Sequence, residues 1–257
     1  MKINVAGGAL SLTDIGVGRP IVLLHSLLAD RGSFERITGP LAERFRVIVP
    51  NLPGFGESST VAGGLAEIAD RLVEAIGTLV GDEKPIVLGN GFGGFVALHI
   101  AIRHPAWVSR LIIADSGAAF SEPGRQAFRD MAIAAAAKGL SAIATTAMRR
   151  LFAPDFQAAN PELMAERQAA FLRTDPAAFQ SACSALAALD IRQAVSRVTI
   201  PTLVLVGEHD EATPPAMSKE LAALLPDARL VILPDCAHVP QLQRPETFLA
   251  AITPFLA

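Results

Sequence analysis

Short apolar runs rich in β-branched residues recur along this chain, at residues 21–24, 46–50, 86–88, 111–114, 202–206 and 230–233. Two more, near 3–5 and 10–13, flank Gly7-Gly8 and read as an N-terminal hairpin. Between the later runs the apolar positions take the helical period, over about 65–80, 92–103, 215–225 and 245–255. Strands that are apolar throughout, rather than alternating, are buried on both faces. Their regular exchange with helices predicts an α/β class with a mostly parallel, eight-stranded sheet flanked by helices.

The rhythm breaks between Gly117 and Val198. That stretch holds no strand pattern. Its alanine-rich, amphipathic segments at 125–137, 141–151 and 161–172 are separated by turn signals at Pro154-Asp155 and Thr174-Asp175-Pro176. A structureless loop of about 80 residues is improbable inside a domain. The expectation is therefore a core of residues 1–116 and 198–257 with an inserted helical lid over 117–197, placed at the carboxyl edge of the sheet.

Composition adds a few exclusions. The chain has 257 residues, 51% of them hydrophobic, and a formal net charge of −3. Mean hydropathy is +0.40. No block of like charge argues for nucleic acid or an anionic membrane as partner. The N-terminus carries no signal-peptide pattern, and the two cysteines, Cys183 and Cys236, form no disulfide framework. A cytoplasmic protein, monomeric or homodimeric, acting on a small molecule without metal or cofactor is the expectation.

Four local patterns then fall in order. Leu24-His25-Ser26-Leu27-Leu28 follows one strand and Asn51-Leu52-Pro53-Gly54-Phe55-Gly56-Glu57-Ser58 the next. Gly89-Asn90-Gly91-Phe92-Gly93-Gly94 joins a strand to a helix. Gly207-Glu208-His209-Asp210 and Cys236-Ala237-His238 close the series. With these motifs the chain resembles the α/β-hydrolase superfamily from end to end. The His-Ser-Leu-Leu opening and Asp210-Glu211-Ala212-Thr213-Pro214-Pro215 are similar to the 3-oxoadipate enol-lactonase and esterase branch.

The resemblance implies an α/β-hydrolase fold and hydrolysis of a small carboxylic ester or lactone. In this superfamily the nucleophile sits at the centre of a Gly-x-Ser-x-Gly turn, followed in chain order by an acid and a histidine. That order gives position 91, Asp210 and His238. Backbone N–H groups of Leu27 and Phe92 would form the oxyanion hole. Ser26 stands where the superfamily commonly has glycine; it is a candidate substrate contact, or a turn hydroxyl bonding its own backbone. Arg125 and Arg149 are candidates to hold a substrate carboxylate, although acidic residues balance them across the same helices. Asp210 also reads as a helix N-cap, His238 as a surface histidine, His25 as a ring anchoring its loop and Cys236 as a small buried thiol.

The residue at position 91 is glycine. Three readings are open. The chain is a serine hydrolase whose nucleophile has been deleted, or the Asp210–His238 pair activates water directly, or the protein binds a small ligand without chemistry. A fourth comes from another class. Gly89-x-Gly91-x-x-Gly94 after a strand, with Asp115 ending the next one, also fits a dinucleotide-binding turn. Such a unit usually opens its domain, whereas here about 85 residues precede it.

Overall fold

The apolar runs become eight strands: β1 (Lys2–Val5), β2 (Gly8–Ile15), β3 (Pro20–Leu24), β4 (Arg46–Pro50), β5 (Ile86–Asn90), β6 (Arg110–Ala114), β7 (Thr202–Gly207) and β8 (Ala228–Leu233). The computed structural model describes residues 1–257. The strands form one sheet in the order β1-β2-β4-β3-β5-β6-β7-β8, antiparallel at β1–β2 and β2–β4 and parallel from β4 to β8. The protein thus has the α/β class expected from its sequence, with an eight-stranded, mostly parallel sheet flanked by helices.

Alternation along each strand divides the core. Ile21 and Leu23 of β3 join an apolar layer with Phe34, Phe248 and Ile252, while Val22 and Leu24 face a larger one on the other side. Burying one such side chain is worth about 1.5–3 kcal/mol, so both faces resist a register slip.

The helices are α1 (Glu35–Ala42), α2 (Leu65–Val80), α3 (Phe92–Arg103), α4 (Glu122–Lys138), α5 (Ala144–Leu151), α6 (Pro154–Ala159), α7 (Pro161–Phe171), α8 (Pro176–Ala187), α9 (Arg192–Val195), α10 (Pro215–Leu224), α11 (Pro240–Gln243) and α12 (Pro245–Leu256). Between β6 and β7 the chain is helical, with a single isolated bridge from Ala119 to Asp190. Two turn signals there belong to helix starts. Pro154 and Pro176 each occupy the first turn of a helix, where a missing N–H costs nothing, and the Asp175 side chain caps the N–H of Ala178.

The chain leaves β3 for β4 on one side and reaches β5 on the other. This reversal opens a crevice at the carboxyl ends of β3 and β5, where open α/β sheets bind their ligands. In the β3–β5 register Leu24 lies opposite Gly89. Ser26 and Gly91 each lie two residues beyond that pair, so the register brings the two loops together. The start of α3 is drawn tight against β3: Gly93 donates its N–H to the His25 carbonyl at 3.0 Å. A Cβ on Gly93 would meet that same carbonyl oxygen at 2.8 Å.

Candidate active site

Gly91 forms the sharp turn between β5 and α3, with φ 55° and ψ −117°. Its N–H donates to the Ala114 carbonyl at 2.9 Å, and its own carbonyl accepts from Ser116 Oγ at 2.7 Å. Positive φ suits glycine and strains other residues. A Cβ placed on Gly91 would lie 2.6 Å from His238 Nε2 and 3.0 Å from Ser26 Cβ, and it would collide with Ser26 Oγ.

Asp210 and His238 arrive on the loops that follow β7 and β8. His238 Nδ1 lies 2.9 Å from Asp210 Oδ2, and both residues are buried. Asp210 Oδ1 accepts the N–H groups of Ala212 at 2.8 Å and Thr213 at 3.1 Å, and Oδ2 accepts Thr213 Oγ1–H at 2.7 Å. Burial opposes the charge on Asp210. The His238 charge and these hydrogen bonds outweigh it, and the carboxyl is held below the usual carboxylate range. The other ring nitrogen, Nε2, lies 3.1 Å from Ser26 Oγ. Ser26, His238 and Asp210 therefore form one buried hydrogen-bonded chain beside Gly91.

A network missed in the sequence supports it from behind. Asn90 donates from Nδ2 to the His238 carbonyl at 2.9 Å and to Asp115 Oδ2 at 3.1 Å, and accepts from Gln241. Asp115 Oδ1 accepts the Gly207 N–H at 2.8 Å. Burial, reinforced by the charge on Asp210, pushes the Asp115 carboxyl well above its ordinary range. Asp115, Asp210 and His238 offer ligand atoms within 4.8 Å of one another. Backbone and side-chain donors already engage their oxygens, so the cluster is built to share protons rather than to grip a cation. The one sequence signal for this network was Asn90 beside the glycine turn, with Asp115 at the end of β6.

His25 fixes the loop that carries Ser26. Its Nδ1 donates to the Ser26 carbonyl at 2.9 Å and its Nε2 accepts the Leu52 N–H at 3.0 Å, which defines a neutral tautomer. Burial lowers its pKa to about 4. A folded-state value below the unfolded value of about 6.5 means that stability is present above that pH and drains away as the pH falls towards 4. The expected loss is of the order of 3 kcal/mol. Urea unfolding at neutral and mildly acid pH should show it, and His25→Asn should flatten the difference while lowering stability at neutral pH.

The chain Ser26–His238 opens on a narrow cavity of about 40 Å³. Leu27, Leu28, Phe92 and Phe95 form its floor, and Phe120, Phe128, Met131 and Leu186, from the helical stretch after β6, its roof. A tilted ring contact, Phe95 to Phe120 at 5.3 Å, ties roof to floor, and an edge-on one, Phe120 to Phe128 at 4.8 Å, links two roof residues. Neither the Leu27 nor the Phe92 N–H donates to a loop carbonyl or a side chain. Phe92 opens α3, so its N–H also has no preceding helical turn to bond into.

The two arginines singled out in the sequence lie elsewhere. Arg125 spends its guanidinium on the Phe120 and Leu189 carbonyls, and Arg149 is exposed beside Thr146. Their neighbour Arg150 lines the cavity instead and pairs with none of the chain's carboxylates. Helical phase decides this. Arg149 and Arg150 are about 100° apart on α5, and an amphipathic pattern alone does not say which one meets the cavity. Cys183 and Cys236 are free and buried, and burial pushes each thiol up to about 12, so neither supplies a nucleophile at neutral pH. No helix is long and apolar enough to cross a membrane.

Known proteins share this architecture. The sequence profile described as alpha/beta hydrolase fold matches residues 19–245. The chain is 32% identical to a 2-hydroxymuconate semialdehyde hydrolase of Pseudomonas putida, over 100% of this chain and 93% of that protein. It is 27% identical to a pimeloyl-[acyl-carrier protein] methyl ester esterase of Nitrosospira multiformis, over 96% and 98%. The crystal structure of an enol-lactonase from Burkholderia xenovorans superposes with a TM-score of 0.93 at 27% identity, covering 100% of this chain and 99% of that one.

Proposed function

This chain belongs to the α/β-hydrolase fold family, and we propose that it is a hydrolase of small, largely apolar carboxylic esters or lactones. The observation that carries this reading is the buried Asp210–His238 pair, 2.9 Å apart, opening on a phenylalanine-lined cavity. Relatives named as a methyl ester esterase and an enol-lactonase support the same bond class. A dinucleotide-binding role for Gly89, Gly91 and Gly94 gains no support, because the Gly91 turn faces His238 and a cavity of limited size.

In this reading His238 is the general base and acid, and Asp210 holds its tautomer. The unpaired N–H groups of Leu27 and Phe92 receive the charge that develops on the substrate carbonyl oxygen. Residues 1–116 and 198–257 act as the core, and residues 117–197 as a lid whose Phe120, Phe128 and Met131 exclude water from the acyl group. Arg150 takes the place of Arg125 and Arg149 as the group able to grip a carboxylate at the far end of the acyl chain.

The test is a panel of p-nitrophenyl esters from acetyl to octanoyl, alongside small lactones. Hydrolysis above the buffer rate is expected, best for medium acyl chains, with Arg150→Ala raising KM for esters that end in a carboxylate. A flat response across the panel, with ligands still bound in the cavity, would leave the chain a binding protein. Gly91 is the observation behind that second reading.

A further inference from the structure

Position 91 carries no side chain, yet the space beside it is filled. The hydroxyl of Ser26 occupies the volume into which a Cβ on residue 91 would project. It sits 3.1 Å from His238 Nε2, the nitrogen that a nucleophile at the turn would address. Ser26 is buried and reaches this point because the β3–β5 register sets it opposite Gly91. We propose that Ser26 is the nucleophile of this enzyme, so that the hydroxyl missing from the turn is supplied across the crevice by the loop after β3.

Three features of the site fit that role. The base is in place, since His238 Nε2 meets Ser26 Oγ while Nδ1 meets Asp210. The loop is rigid, because His25 clasps the Ser26 carbonyl and Ala29 donates its N–H to the same oxygen at 3.2 Å. The site also opens on the cavity, since Ser26, Gly91 and His238 all line it. Glycine at 91 is then a requirement rather than a loss. Any side chain there would evict the Ser26 hydroxyl from the base.

The chemistry balances without a further reactant. Ser26 Oγ–H gives its proton to His238 Nε2 as Oγ bonds the substrate carbonyl carbon, and the π electrons move to the carbonyl oxygen. Collapse breaks the bond to the alcohol, which leaves with the proton from His238. Water, deprotonated by His238, then attacks the Ser26 ester; the acyl–Oγ bond breaks and Oγ regains its proton.

The proposal rests on the hydrolase reading, and the test separates the two. The unaltered chain is treated with an alkyl fluorophosphonate, whose fluoride leaves as a serine oxygen bonds phosphorus, and the modified peptide is mapped by mass spectrometry. The same chain, Ser26→Ala and His238→Ala are assayed on p-nitrophenyl butyrate. An adduct on Ser26 that His238→Ala abolishes, with turnover falling at least a hundredfold in Ser26→Ala, is the expected result. An adduct on Ser26 without turnover of any ester would keep the nucleophile and move the substrate class. Turnover that survives in Ser26→Ala, is lost in His238→Ala and leaves no adduct would overturn the proposal and leave water activation by His238. Neither turnover nor adduct would overturn both readings. Mapping on the unaltered chain keeps the test independent of how well either variant folds.

Discussion

Asp210→Asn is expected to lower kcat/KM for an ester about 10⁴-fold, the scale seen when a triad aspartate becomes an asparagine. The local hydrogen bonds give the reason. Asp210 Oδ1 is held by two backbone N–H groups, from Ala212 and Thr213, and only an oxygen can accept them. The asparagine must therefore keep its carbonyl there and turn its NH₂ to the Oδ2 position, towards His238 Nδ1. His238 then has to accept on Nδ1 and carry its proton on Nε2, where it can no longer take the proton of Ser26. The fold should survive, because the Thr213 hydroxyl can rotate from donor to acceptor.

The neighbouring acid should behave in the opposite way. Asp115→Asn places an NH₂ against the Asn90 amide, setting donor against donor in a buried network. A stability loss of about 1–3 kcal/mol is expected, with less than a tenfold change in turnover. Steady-state kinetics beside thermal unfolding distinguish the two. Equal losses of turnover in both variants would mean that Asp115 shares the orienting role.

The legible and illegible parts of this site differ in the distance over which their cause acts. Strand–helix alternation is local, so the sheet and its carboxyl edge could be read from apolar runs, while Asp210 and His238 came from the chain order that the superfamily resemblance implies. Helix α8 was hidden because Pro176, an N-terminal signal once Asp175 is seen to cap it, also reads as a turn. Helix α1 was missed for a related reason: Gly39 and Pro40 depress its helical propensity, and the apolar contacts of Ile37 and Leu41 outweigh them. The contact between Ser26 and His238 spans 212 positions and depends on a parallel register that no local pattern encodes. A turn hydroxyl bonding its own backbone was the other local reading of Ser26, and the hydroxyl instead bonds a ring delivered from the far end of the chain. In the sequence Asp115 reads only as a possible ribose acid; its position beside Asp210 comes from the β6–β7 pairing.

Restoring a serine at the turn is expected to fail alone and succeed in company. In Gly91→Ser the new Cβ collides with the Ser26 hydroxyl and comes within 2.6 Å of His238 Nε2, on a backbone with φ 55°. The strained backbone alone costs about 1–3 kcal/mol, and two hydroxyls then compete for one ring nitrogen. The single variant should be less stable and no faster than the parent chain. Ser26→Gly should lose about 10³-fold in turnover, leaving what the oxyanion donors and binding supply. Combining the two removes the collision and returns a hydroxyl to His238 from the turn, so the double variant should regain at least about a hundredfold over Ser26→Gly, as coupled neighbours do. Burst kinetics would then track whichever position bears the serine. A Gly91→Ser chain that gains a burst while Ser26→Gly changes nothing would mean that the Ser26 hydroxyl only fills the space of an absent nucleophile. The opposite pattern means that the two residues exchange one hydroxyl across the crevice, and that glycine at 91 is what lets Ser26 hold it.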